Sequence, residues 1–264
     1  MRLISFLLLS SLLFSGCKDA GNPNEKESTE STDQSQSVDL TRYPAALVEV
    51  FKAHGGLEQW NQMKTLTYTM GKEVHTTNLH NRDIVIKTDD YSIGGSGGKV
   101  WIAQDSTFYP PSRARFYHNL MFYFYAMPFI VADDGIIYSE APALQKDGIS
   151  YPAIKIAYEN NIGDSPDDEY IIYYHPETKR MEWLAYTVTY GKEGKSDQFK
   201  YIKYSKWNEI NELLLPTELD WYETENNLPT TSRNSPRIFT NIDIDASDMD
   251  KDFYQMPENG SYVD

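Results

Sequence analysis

The sequence predicts a mainly β domain of the α+β class: a curling antiparallel sheet of about 10–11 strands, with an N-terminal helix and a central helix packed against it. Two observations lead there. Tyr, Phe and Trp number 20, 11 and 5, about 14% of 264 residues, a composition that suits strands. Short apolar runs also follow one another closely, each beside a turn signal, which argues for antiparallel pairing and against a βαβ arrangement.

The first segment reads as an address. Met1-Arg2 is a short positive start, and Leu3 to Phe14 is an apolar run broken only by Ser, too short to span a bilayer as an ordinary helix. It ends in Phe14-Ser15-Gly16-Cys17, where small residues before the Cys let a lipoprotein signal peptidase bind extended backbone. This resembles a bacterial lipobox, which implies that Cys17 is the acylated mature N-terminus, palmitate included. The alternative is an ordinary secretory signal that contains a Cys. Cys17 is the single Cys, so an intramolecular disulfide and a Cys-based zinc cluster are excluded, and lipid attachment would consume the only thiol nucleophile.

Lys18 to Thr41 is rich in Ser, Thr, Asp, Glu and Gln, with Val38 and Leu40 almost its only bulky apolar residues. Such a segment buries too little to offset chain entropy and is expected to act as a disordered tether. The expected organisation is a signal peptide over 1–16, anchor and tether over 17–41, and one β domain over 42–264. Lys18-Asp19 also resembles the acidic export signals of some Bacteroidota lipoproteins. The chain has 24 basic and 39 acidic residues, net −15, so no nucleic-acid partner is expected. An acidic domain does not itself adhere to anionic headgroups, which leaves membrane attachment to the lipid anchor.

Pro44 suits a first helical turn, and Leu47, Val50, Phe51 and His54 follow at helical spacing until Gly55-Gly56 ends the helix. A short second turn, Leu57 to Met63, presents Trp60 and Met63. Leu66, Tyr68, Met70 and Val74 then alternate with polar residues as one strand. Further strands are expected at 83–87, 91–93, 99–104, 136–139, 153–159, 169–174, 181–190, 199–206, 213–222 and 238–244. Ile84-Val85-Ile86 and Tyr170 to Tyr174 are apolar on both faces and therefore need a second covering layer: helices, another sheet or a ligand.

Leu120 to Ala132 is 13 residues without a charge or amide. Phe116, Leu120, Phe124 and Met127 share one face of a helix that Pro128 should end or kink, with Met121 elsewhere around it. One reading is a core helix plugging the concave side of the sheet. The other makes Phe116, Leu120, Met121, Phe124 and Met127, with Trp101 and Trp183, the lining of an apolar pocket for an acyl chain. One helix can serve both.

Chemistry is sparse. His54, His75, His80, His118 and His175 form no close ligand set, and no metal or cofactor is expected. Asp164, Asp167, Asp168 and Glu169 crowd one loop that lacks the alternating pattern of a calcium site and reads as a solvated acidic turn. Gly94 to Gly98 is followed by neither Lys-Ser/Thr nor a helix, so it is neither a phosphate loop nor a nucleophile elbow.

Phe51 to Tyr68, Phe116 to Pro128, Gly163 to Tyr170 and Met181 to Tyr190 resemble an uncharacterised family of Bacteroidota lipoproteins, a likeness that runs from Tyr43 to the C-terminus. More distantly, an N-terminal helix, Gly-Gly and then a curved sheet is similar to the LolA/LppX-like lipoprotein-carrier superfamily, as is the ending Asp252-Phe253, Pro257, Gly260. That resemblance implies an incomplete barrel whose concave face can hold acyl chains beneath helices, and it implies no catalytic residues. The expected function is a membrane-anchored, non-enzymatic binder of a lipid, acyl chain or lipoprotein, a monomer in the outer-membrane or periplasmic envelope. Alternatives are a hydrolase using the carboxylates of 164–169 and a protein-interaction module with a filled aromatic core.

Overall fold

Leu47, Val50 and Phe51 recur at helical spacing behind Pro44, and they form the buried stripe of α1 (Ala45–Ala53). Gly55 ends it at a φ of +103°, where an added Cβ would lie 2.1 Å from the Glu212 carbonyl oxygen, so only glycine fits. α2 (Leu57–Gln62) follows and buries Leu57 and Trp60. The computed structural model describes residues 38–159, 167–192 and 194–263, all within one compact unit. The expected signal peptide, Cys17 and Asp164 lie outside the described residues, as does the tether up to residue 37. Val38 and Leu40, placed in the tether by composition, instead pack against the core, and Leu40–Arg42 is a 3-10 turn capped by Asp39, whose carboxylate accepts from the Thr41 amide at 3.0 Å.

Five strands come next: β1 (Thr65–Met70), β2 (Glu73–Asn78), β3 (Ile84–Lys87), β4 (Tyr91–Ser96) and β5 (Lys99–Gln104). Helices α3 (Pro111–Tyr117) and α4 (Leu120–Tyr125) and a 3-10 turn at Phe129–Ala132 make up the central segment. β6 (Ile136–Lys146), β7 (Ile149–Tyr158), β8 (Tyr170–Tyr174) and β9 (Met181–Tyr186) precede the long β10 (Lys200–Ile210) and β11 (Leu213–Glu225). β12 (Leu228–Ser232), β13 (Arg237–Asp245) and β14 (Gly260–Val263) complete the chain.

Among the described residues the sheet has 14 strands, more than the 10–11 expected, because tight turns fold two of the runs back and the short C-terminal β14 adds another. Gly71, at φ +61°, splits the Leu66–Val74 run into β1 and β2. Asn226 and Asn227 return β11 as β12, while the turn at Asp147 and Gly148 joins β6 to β7, both longer than the strands expected at 136–139 and 153–159. Each pairing is antiparallel, in the order β14-β5-β4-β3-β2-β1-β13-β11-β10-β9-β8-β7-β6, with β12 beside β11. The sheet is unclosed. One edge is the four-residue β14; the other is β6, which carries Pro142 and a register shift between Ala141 and Leu144.

Both faces of the sheet are covered in places, as the doubly apolar strands require. Leu66, Tyr68, Ile172, Leu184 and Ile202 face the main core with α1, α2 and α4, whereas Ile171, Tyr173, Trp183 and Tyr201 form a second cluster on the opposite face with Leu144 and Tyr151. The β11–β12 hairpin helps to close that face: Tyr222 meets Trp183 edge-on at 4.7 Å, and Tyr201 donates to the Asn227 carbonyl at 2.9 Å. Val85 packs outward with Trp101 and Tyr254, while Ile86 lies in the cluster that includes Ala114 of α3.

Gly94 is the partner of Trp101 across β4 and β5, and a Cβ on it would lie 2.1 Å from the indole ring. Gly94→Ala is accordingly expected to cost about 1–3 kcal/mol through overpacking, read as a lowered urea midpoint. An unchanged midpoint would mean that the indole shifts aside freely.

The central segment differs from the single helix expected. It breaks at His118 and Asn119 into α3 and α4, so Phe116 and Leu120 stand on different helices. Among the described residues no helix is long and apolar enough to cross a membrane.

Candidate functional site

A cavity of about 570 Å³ lies between the two ends of the sheet, with the central segment along one side. Its walls come from three sources. α3, α4 and the link between them supply Phe116, His118, Leu120, Tyr123 and Phe124; the β2–β3 turn and the β4–β5 hairpin supply Arg82, Lys99 and Val100; the ends of β7 and β8 and the segment after β9 bring Tyr158, Tyr170 and Tyr190. The volume falls within the range of about 300–1,000 Å³ usual for small-molecule sites.

Local packing explains these positions. Pro111 starts α3 at a place where no amide donor is needed. Glu73 then fixes the other end of α3: its carboxylate accepts from the Tyr117 and Tyr91 hydroxyls and from His75 Nε2 at 3.2 Å. Burial opposes the charge on Glu73, but these donors outweigh it and hold its pKa below the ordinary value. On α4, the Tyr204 hydroxyl donates to the Phe124 carbonyl, and the Phe124 ring packs on Tyr186 at 4.8 Å and Trp221 at 5.8 Å. Gly95 leaves room for His118, since a Cβ there would lie 2.8 Å from that imidazole.

The polar groups are mostly committed. Arg82 donates to both oxygens of Asp133 at 2.6 and 2.8 Å and lies over the Phe122 ring at 5.3 Å. Asp168 Oδ1 accepts from the amide and the hydroxyl of Thr189 at 2.6 and 2.9 Å, and burial raises its pKa. Glu169 is paired with Lys155 at 2.7 Å and Lys195 at 3.1 Å; burial works against its charge, yet the two lysines lower its pKa. Of Asp167, Asp168 and Glu169, the described members of the acidic loop, only Asp168 lines the cavity. Among the described residues no group of three or more His, Cys, Asp or Glu is placed to hold a metal ion.

Of the seven residues expected to form an apolar pocket, three meet there: Phe116, Leu120 and Phe124. Met121 and Met127 are not part of the lining. Both are buried in the main core, Met127 because α4 ends at Tyr125 and the chain turns before Pro128. Trp101 and Trp183 lie on the opposite face of the sheet, as strand alternation dictates: Val100 and Leu184, their neighbours, point inward. The tyrosines of β7, β8 and the segment after β9 were missed: Tyr158 and Tyr170 sit at strand ends brought together by pairing, and Tyr190 reaches the cavity beside Phe116.

A second, smaller cavity of about 270 Å³ lies beside α2, lined by Trp60, Leu79, His80, Phe129 and Asp133 among others, and Arg82 borders both cavities.

Residues 61–229 match a family described as a family of unknown function, DUF6503. No curated protein matches the chain. Among solved structures, a DUF1329 family protein from Desulfovibrio piger is similar at TM-score 0.46 and 10% identity, over 80% of this chain and 96% of that one. A LolA superfamily protein from Nitrosomonas europaea is similar at TM-score 0.43 and 9% identity, over 72% and 87%. An outer membrane lipoprotein-sorting protein domain from Vibrio parahaemolyticus, described as putative in its name, is similar at TM-score 0.36 and 4% identity, over 76% and 96%.

Proposed function

The chain belongs to DUF6503, a family of unknown function, and on that footing we propose that it is a non-enzymatic binding protein for an acyl chain or lipid, held at the envelope membrane through Cys17. One observation carries the reading: a ligand-sized cavity in which Phe116, Leu120 and Phe124 meet Val100 and a set of tyrosine rings. Such a wall removes apolar ligand surface from water, worth about 25 cal/mol per Å² buried. In this reading the domain works as an anchored, monomeric acceptor in the outer-membrane or periplasmic envelope.

The hydrolase alternative gains nothing from Glu169, whose charge is paired with two lysines, or from Asp168, whose Oδ1 is held by Thr189.

The test uses the chain with Cys17→Ser, so that no attached lipid confuses the readout. Native mass spectrometry is expected to find a co-purified lipid mass, and a fluorescent fatty acid is expected to bind in a saturable way. Leu120 is only partly buried, so Leu120→Asp should leave the fold intact while weakening that binding by about tenfold or more, the equivalent of about 1.4 kcal/mol. Bare polypeptide from repeated preparations, with no saturable uptake, would remove the proposal.

A further inference from the structure

One corner of the cavity has a chemistry of its own. Tyr158 and Tyr170 stand with ring centroids 6.0 Å apart and planes at 87°, and Phe116 and Tyr190 stand 4.9 Å apart at 52°. All four rings line the same space, and Asp168 lines it with them. An aromatic ring is negative on its face and positive at its edge. These rings and the Asp168 carboxylate line one cavity, so aromatic surface and an acidic group are both available to a single ligand. That combination attracts an organic cation through cation–π and ionic interactions together.

The surroundings agree. The Asp168 carboxylate is built into the wall by Thr189, so it does not have to be ordered when a ligand arrives. Burial disfavours its charge, and a cation placed beside it would restore the ionised form, a gain specific to positively charged ligands. The lining also holds basic residues: Arg82 from the β2–β3 turn, which is paired with Asp133, Lys99 from the β4–β5 hairpin, and Arg115, which precedes Phe116 on α3.

We propose that Tyr158, Tyr170, Tyr190, Phe116 and Asp168 form a recognition site for an alkylammonium group, so that the ligand is an amphiphile whose head carries an organic cation. This inference rests on reading the cavity as an acyl-chain site and adds the chemical class of the head.

The experiment measures displacement of a bound fluorescent fatty acid from the full chain carrying Cys17→Ser. Three probes of equal chain length are used below their micelle concentrations: decyltrimethylammonium, decanol and decyl sulfate. Decyltrimethylammonium is expected to bind at least about tenfold more tightly than the other two. Asp168→Asn, which keeps an oxygen for Thr189, and Tyr190→Leu, at a side chain about a third exposed, should each cut the ratio of ammonium to decanol affinity to about threefold or less, whatever either does to binding of the shared alkyl chain. If Asp168→Asn fails to fold, the ratio measured with Tyr190→Leu decides. Equal affinity for all three probes in the parent overturns the cation site while leaving the acyl-chain reading in place. An ammonium preference that survives both substitutions overturns the assignment to these residues. Failure of every probe to bind, the fatty acid included, removes the acyl-chain reading and the cation site with it.

Discussion

Phe129→Ala is expected to lower the free energy of unfolding by about 3–5 kcal/mol, the usual range for deleting a buried aromatic ring. Phe129 is 1% exposed. Its ring stacks on Trp60 of α2 at 4.6 Å and 7°, lies parallel to Phe51 of α1 at 6.4 Å, and receives the His54 ring edge-on at 6.5 Å. One side chain thus ties both N-terminal helices to the end of the central segment. Small domains are stable by only about 5–15 kcal/mol, so the loss is a large fraction of the whole. Urea unfolding followed by Trp fluorescence measures it, with Phe129→Leu expected to fall between parent and Ala. A loss below about 1 kcal/mol would mean that the neighbouring rings collapse into the space, and that the stack is no keystone.

Acid should weaken the domain through His54. This side chain is fully buried at the end of α1; Nδ1 donates to the Val50 carbonyl at 2.9 Å, and Nε2 has no hydrogen-bond partner among the described residues. Burial outweighs that bond and lowers the pKa from 6.5 to about 4. The sign follows from linkage. Above the ordinary value both folded and unfolded chains keep His54 neutral, and its contribution is fully present. As pH falls from about 6.5 towards 4 the unfolded chain takes up a proton that the folded chain refuses, and about 3 kcal/mol of stability is lost. Urea titrations of the parent and His54→Leu at pH 7 and pH 4.5 isolate the effect, because other titrating groups are common to both. The variant should be less stable at neutral pH and lose less on acidification. A stability difference between the two that stays constant across this range would sink the prediction.

Much of the architecture could be read from residue order. Leu47, Val50 and Phe51 marked α1, and Gly55 marked its end, because local spacing and one forced φ decide both. Strand count was harder. Gly71 and the Asn226-Asn227 pair are short turns beside strand-like runs, and a run of alternating residues looks the same whether it stays straight or doubles back. The cavity was half legible. Phe116, Leu120 and Phe124 share a helical spacing, and they do reach one wall, although the helix breaks between the first and second. Trp101 and Trp183 attracted notice as large rings, yet which face of a strand points inward is set by register with its neighbours, and register is a property of pairing. Tyr158 and Tyr170 meet because β7 pairs with β8, and Tyr190 meets Phe116 of α3, long-range facts that no local window contains.

The two outer strands of the sheet carry a further consequence. β14 offers four residues, and β6 carries Pro142 within a stretch where its register against β7 shifts. A sheet that does not close leaves backbone donors and acceptors at its margins, which in many proteins would seed filaments. Here one margin is too brief and the other too uneven to template a neighbouring copy. Crowding many such molecules together should therefore leave them as separate particles, free of cross-strand polymers.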